Sequence, residues 1–382
     1  MVKKRHHYVP QFYLGAFSNN GKQLNLYNLK RRQAVQNATL RDQCCEPHLH
    51  GDTDEYEDAI ANVEDHFAPV VKEIVRTSTL PKAGSGEHGL LYFFVATQMI
   101  RTTRAAEKLN SGIDKITKQA YRDDPTLEGE DLDAIRIGFG NPVVYSLQTL
   151  SAAAMEGISD LGMCLICATG EQTFVTSDNP VFKYNHYLEG IRGYGLTGTL
   201  ARGLQIFVPL SPTHLLMLYD RTVYDIGLSR YEAILHKVPN ADISKLNAFQ
   251  VQNASENLYF KDWARLPYIE HLVKRFSKYR ITDPMQVEEF IDTEDENQSL
   301  LHYYERVPNF GLHLSFTRVW DEAAKFSKHE RLRDENKLRR DPSRMQTAPP
   351  TPPRSPGMEG RERIVFARPV TKAKKPNKKN RK

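Results

Sequence analysis

Residues 163–181 read MCLICATGEQTFVTSDNPV, and this stretch decides the fold. Met163 to Thr169 runs almost without a polar break, as a strand covered on both faces does. Gly170-Glu171-Gln172 is a turn signal, and Thr173 to Ser177 resumes an extended pattern. The stretch therefore predicts a hairpin whose second strand closes on Asp178-Asn179-Pro180, residue types that favour turns. Two further strands, Leu204 to Val208 and His214 to Leu218, follow on either side of Pro209-Leu210-Ser211-Pro212.

Helical patterns flank this strand-rich centre. In residues 54–76, Ile60, Val63, Phe67, Val70, Val71 and Ile74 recur at spacings of three and four, which makes one apolar stripe. Acidic residues crowd the start of that segment, and Lys72 and Arg76 sit near its end, as a helix dipole favours. A second long helix is expected from Glu87 to Tyr121, weaker ones over 128–137 and 143–156, and two more over 241–260 and 267–280. Nearer the start, Pro10 suits the first turn of a short helix. Gln23 to Asn37 reads as a hairpin about Lys30-Arg31-Arg32. Helices at both ends with strands between them give an α+β fold, with helical layers around a central, mostly antiparallel sheet.

The formal net charge of +5 is unevenly spread. Residues 341–382 hold 12 Lys and Arg against 3 Asp and Glu, which leaves 40 against 44 in residues 1–340. A mildly acidic body gives no reason to expect broad binding to nucleic acid. The segment 341–382 also holds 8 of the 21 prolines and a single aromatic, Phe366. That is too little apolar area to offset the entropy of ordering. The sequence thus divides into one α+β body over 1–340 and a disordered, proline-rich, basic tail over 341–382. Lys372 to Lys382 packs seven basic residues into eleven positions, a candidate address for nuclear import or a patch for nucleic acid.

No apolar run approaches the roughly 18 residues of a membrane span. The opening Met-Val-Lys-Lys-Arg-His-His leads into Tyr-Val-Pro-Gln instead of an apolar signal region. A soluble protein of the cytoplasm or nucleus is expected. Cys44 and Cys45 are adjacent, too tight for a usual chelating pair. Cys164 and Cys167 have CxxC spacing, but a strand would point the two thiols to opposite faces. Free thiols in a reducing compartment are the better reading, and no metal site is assigned.

Standard catalytic signatures are absent: no GxxxxGK[ST], no GxGxxG after a strand, no GxSxG and no HExxH. Candidate chemistry rests on polar residues in places where a core wants apolar ones. At 100° per residue, Glu64 falls about 40° from Ile60, on the border of its helix stripe. On the second helix Gln98 lies about 20° from Leu91, inside the apolar face, with Arg101 at its edge. Each needs a partner, because burying such a group alone costs a few kcal/mol. His7, just before Pro10, titrates near neutral pH and suits general acid or base work. Asp178 closes a strand, where loops present catalytic carboxylates.

Four motifs carry a resemblance: residues 6–14 (HHYVPQFYL), Gln98 with Arg101-Thr102, Ser177-Asp178-Asn179-Pro180-Val181, and Pro209-Leu210-Ser211-Pro212. In order and type the sequence resembles the domain-of-unknown-function 4238 family of bacteria and fungi. One departure is Gly15, where a basic residue is expected before Phe17. The resemblance implies membership and assigns no chemistry.

Two expectations follow. In the first the body is a hydrolase acting on phosphodiesters or nucleotides. His7 is then its acid or base, and Asp178 and Glu64 orient it or hold a metal. Gln11, Gln98, Arg101 and Asn179 hold the substrate. In the second the polar cluster only fixes the core, with Glu64 paired to Arg101, in a non-catalytic binding or scaffold protein whose basic tail makes the contacts. The cofactor is left unknown. Convergence of His7, Glu64, Arg101 and Asp178 on one open cavity favours the first; pairing inside a closed core favours the second.

Overall fold

The computed structural model describes residues 5–49, 54–122, 124–127, 129–191, 196–228, 233–291, 299–306, 310–325 and 332–333. The tail expected over 341–382 lies outside them. The chain enters on β1 (Arg5–His7), and Pro10, extended at φ −59°, N-caps α1 (Gln11–Gly15). β2 (Gln23–Asn28) and β3 (Gln33–Thr39) form the expected hairpin, and β4 (Cys45–Pro47) returns to pair with β1. Helices α2 (Asp54–Thr77), α3 (Gly86–Ile100), α4 (Thr103–Tyr121), α5 (Pro142–Thr149) and α6 (Ser151–Glu156) follow. Next come β5 (Gly162–Cys167), β6 (Thr176–Ser177), β7 (Phe182–Tyr184), β8 (Gln205–Ser211), β9 (His214–Tyr219), β10 (Tyr224–Asp225) and β11 (Ile234–Leu235). The chain then runs through α7 (Asn240–Asn253), β12 (Asn257–Phe260), α8 (Leu266–Phe276), β13 (Met285–Ile291), β14 (Ser299–Glu305) and β15 (Arg318–Val319).

The central sheet has the order β11-β5-β9-β8-β7, antiparallel except for the β11–β5 pair. β5 and β8 are buried on both faces along their whole length, which is why β5 reads as an unbroken apolar run. Alternation sends Met163, Leu165 and Cys167 to one core, shared with Phe67 and Val71 of α2 and Phe94 of α3. Cys164 and Ile166 go to the other, with Ile243, Leu246 and Phe249 of α7. The CxxC thiols therefore face opposite sides of the sheet. A second sheet, β3-β2-β12-β6, packs with α7 and α8 around Val251, Leu258, Ile269 and Leu272. The fold is α+β, with helices on both faces of the main sheet.

Several local expectations are corrected. The helix expected from Glu87 to Tyr121 is two helices, because Thr102 N-caps α4 by accepting from the Ala105 N–H, and its own hydroxyl donates to Asn179 Oδ1 at 2.8 Å. Among the described residues of 128–137 there is only a single 3-10 turn, over Leu132–Ala134, and 143–156 is two short helices. The helix expected to reach residue 260 stops at Asn253, and Asn257–Phe260 is a strand. Likewise α8 ends at Phe276, and Ser277–Tyr279 tightens into a 3-10 turn.

The hairpin expected over 163–177 does not form. β5 is flanked by β9 and β11, whereas β6 joins the other sheet against β12. Three amides of α7, spaced i, i+3 and i+6 on one face, hold the extended segment instead. Asn247 accepts from the Val175 N–H and donates to the Thr173 carbonyl. Gln250 accepts from Ser177 and donates to the Pro180 carbonyl, each at 2.7 Å. Asn253 donates to the carbonyls of Asn179 and Val181.

Candidate functional site

The residues singled out by sequence gather along one seam, where α1, the junction of α3 and α4, and the segment 176–181 meet. Arg101 is 1% exposed, and its guanidinium bonds Glu64 Oε1 at 2.7 Å and the His7 carbonyl at 2.5 Å. Its Nε is buried and finds no partner among the described residues. Gln98 Nε2 donates to the Tyr8 carbonyl at 2.9 Å, which leaves Gln98 Oε1 buried and unpartnered. Tyr13 donates to the Pro209 carbonyl and meets Thr176 Oγ1 at 2.7 Å. All four sequence motifs are thereby tied together by buried hydrogen bonds.

His7, Gln11 and Glu64 line an open cavity of about 290 Å³ between α1 and α2, with Glu57, Asp65 and Lys72. The His7 ring is already engaged on both sides. Its Nε2 lies 3.0 Å from the Arg41 carbonyl, which can only accept, so Nε2 carries the proton. Nδ1 then accepts from Gln11 Nε2 at a long 3.4 Å.

Asp178 does not line this cavity. Its carboxylate accepts from the N–H groups of Ser255, Glu256 and Asn257 at 2.7, 2.7 and 2.9 Å, fixing the turn between α7 and β12. Burial pushes its carboxyl up to about 6, and those three N–H bonds and the Arg280 charge pull against that rise. Asn179 is likewise tied, accepting from Thr102 and donating to the Asn253 carbonyl at 3.0 Å.

A larger cavity of about 440 Å³ lies on the other side of the α3–α4 junction, and Asn179 and Asn253 reach its wall. Sequence reading missed it. Arg104 and Lys108, one turn apart on α4, face it together with Lys183 of β7 and Arg306 after β14. Lys183 points there because its neighbours Phe182 and Tyr184 are turned into the core. Glu305 is the one carboxylate among these four cations, and it pairs closely with Lys108 and at 3.3 Å with Lys183. Burial alone would raise the Glu305 carboxyl, but the two ammonium groups outweigh it and hold it at about 2. Burial depresses the Lys108 ammonium, and Lys183 and Arg104 add to that depression against Glu305.

Gln252 of α7 also borders this cavity, 5% exposed, with neither its amide nitrogen nor its oxygen bonded among the described residues. Phe182, Phe249, Tyr303 and Tyr304 supply apolar wall. These residues come from α4, β7, α7 and β14, elements up to about 200 positions apart, so no local spacing announced them. The amide ladder of α7 was the one readable trace.

Among the described residues no helix is long and apolar enough to cross a membrane. Comparison with curated proteins and with solved structures found no match in either. A family model does match, over residues 5–263, a span that holds all four motifs, Arg104, Lys108, Lys183 and Gln252, and ends before Glu305 and Arg306. The chain belongs to the family described as Protein of unknown function (DUF4238).

Proposed function

We propose that the protein binds a small phosphorylated ligand, a nucleotide being the class that fits, in the larger cavity. The observation that carries this reading is the meeting of four cations and an unpartnered buried amide on one cavity of a mildly acidic body. Lys108 and Lys183 share the one carboxylate of Glu305, Arg104 has only the distant Glu107 at 3.8 Å, and Arg306 is exposed, so phosphate oxygens can add charge-assisted bonds to this group. The aromatic wall suits a base, and the Gln252 amide can read a polar edge that an apolar side chain would leave unpaired. The volume falls in the range of about 300–1,000 Å³ typical of small-molecule sites.

Calorimetric titration of the full chain with AMP, with inorganic phosphate as the control, tests the reading. AMP is expected to bind in a salt-sensitive way, and Lys183→Ala and Arg306→Ala each to weaken it about tenfold or more. Gln252→Leu removes a buried amide that costs roughly 1 to 3 kcal/mol while unpaired. It is therefore expected to raise the melting temperature of the ligand-free protein while lowering AMP affinity. Equal affinity in all three variants would sink the proposal.

A second reading, hydrolysis of a phosphodiester or nucleotide, is favoured by the shared cavity of His7, Gln11 and Glu64. His7 acts there as general base once Gln11 swings off Nδ1. Against it stands Arg101, whose charge Glu64 already takes. His7→Ala is expected to abolish any turnover of a nucleotide panel at a cost under about 1 kcal/mol in stability. Turnover that survives the change takes His7 out of the chemistry.

A further inference from the structure

We propose that His186, Glu189 and His313 form a binding site for one borderline divalent cation, zinc before others, distinct from both cavities. After β7 the chain turns through residues 185–190, and the Glu189 N–H donates to the His186 carbonyl at 3.2 Å. That turn sets the two side chains together, with His186 Nδ1 3.0 Å from Glu189 Oε2. His313 arrives from the segment after Phe310, and its Nε2 lies 3.6 Å from the same oxygen. The three donor atoms all fall within 4.8 Å of one another. Ligand atoms around tetrahedral zinc, at bonds of about 2.0–2.2 Å, stand roughly 3.3 to 3.5 Å apart. Two edges of the triangle are already near that spacing. His313, whose side chain is 67% exposed, is free to rotate and close the third.

Two features around the triad fit a metal centre better than a chance ion pair. A Cβ at Gly311 would lie 2.4 Å from Glu189 Oε1 and 2.8 Å from His313 Nε2, so a larger residue would push the ends of both donor side chains out of their present places. Behind them the Tyr184 hydroxyl accepts from the Leu312 N–H at 2.9 Å. This hydroxyl ties the segment carrying His313 to the strand before the turn, which holds the third donor close to the other two. Two imidazoles and one carboxylate suit zinc, cobalt or nickel, whereas magnesium and calcium take oxygen donors. Three protein ligands leave a fourth position for water or for an atom of a ligand. His313 lies beyond the residues matched by the family model, so the third donor comes from this chain's own later segment.

The full chain, stripped of metal by a chelator, is titrated with Co²⁺ and followed by its visible absorption, and Zn²⁺ is then added in competition. One Co²⁺ per chain, displaced by Zn²⁺, is expected. The other histidines and the four cysteines can hold metal adventitiously, so the comparison with variants decides. His186→Ala and His313→Ala are each expected to lower Zn²⁺ affinity at least tenfold. Gly311→Ala, which removes no donor, should also weaken binding by crowding the site. His313 is exposed, so its loss leaves the fold intact, as circular dichroism will show. A wild-type chain that takes up no Zn²⁺, or one that His186→Ala and His313→Ala match in affinity, overturns the proposal.

Discussion

Arg101→Ala is expected to lower the stability of the fold by roughly 3 to 5 kcal/mol, the range for removing one partner of a buried ion pair. The guanidinium holds Glu64 and the His7 carbonyl together from a position that is 1% exposed. Its removal strands the Glu64 carboxylate against a wall that already carries Glu57 and Asp65. Glu64 keeps a side-chain exposure of 22%, so water recovers part of that charge and the lower end of the range applies. Arg101→Lys separates the terms. An ammonium keeps the charge but cannot fork between a carboxylate and a carbonyl, so an intermediate loss is expected. Urea denaturation measures both. A loss under about 1 kcal/mol for Arg101→Ala would show that the seam does not depend on the pair.

Asp178→Ala is expected to cost about 2 to 4 kcal/mol, because it leaves the N–H groups of Ser255, Glu256 and Asn257 without their acceptor. Asp178→Asn should recover only part of this, since its amide offers one acceptor oxygen and turns a donor towards donors. The pH profile carries a second signature. Burial holds the folded Asp178 carboxyl at about 6, whereas an unfolded aspartate titrates near 3.9. The folded state therefore binds the proton more tightly. The stability from this group is fully present below about pH 3.9 and is lost as pH rises through about 6. The difference of about two units corresponds to roughly 2 to 3 kcal/mol across that window. In Asp178→Asn the slope between pH 4 and 6 should flatten. A profile identical to wild type would remove Asp178 as its source.

The elements of strongest local period were legible. The stripe from Ile60 to Ile74 forms α2, the residues about Lys30-Arg31-Arg32 form a hairpin, and Pro10 opens α1. Each depends on contacts a few positions apart along the chain. Local signals misled where a long-range partner outbid them. Gly170-Glu171-Gln172 looked like a hairpin turn, yet the side-chain amides of α7 claim the backbone of 173–181, and the two strands part into different sheets. Thr102 broke the helix expected from Glu87, and its capping role was readable from its residue type.

The candidate residues divide in the same way. That Glu64, Gln98 and Arg101 need partners follows from helical angle and the cost of desolvation, and the Glu64–Arg101 pair is present at 2.7 Å. That Asp178 holds a backbone turn and does not line the cavity of His7 does not follow from any spacing. The basic cavity was invisible for a related reason. Arg104, Lys108, Lys183 and Arg306 each look like ordinary solvated charges in sequence, and only packing turns them towards one space. The sequence by itself determined the strongly periodic helix of residues 54–77, the hairpin about Lys30-Arg31-Arg32 and which polar groups must be satisfied, because periodicity and desolvation act within a few residues. Which strands pair, which groups satisfy one another and which charges share a cavity was decided by the tertiary structure, because those contacts join residues tens to hundreds of positions apart.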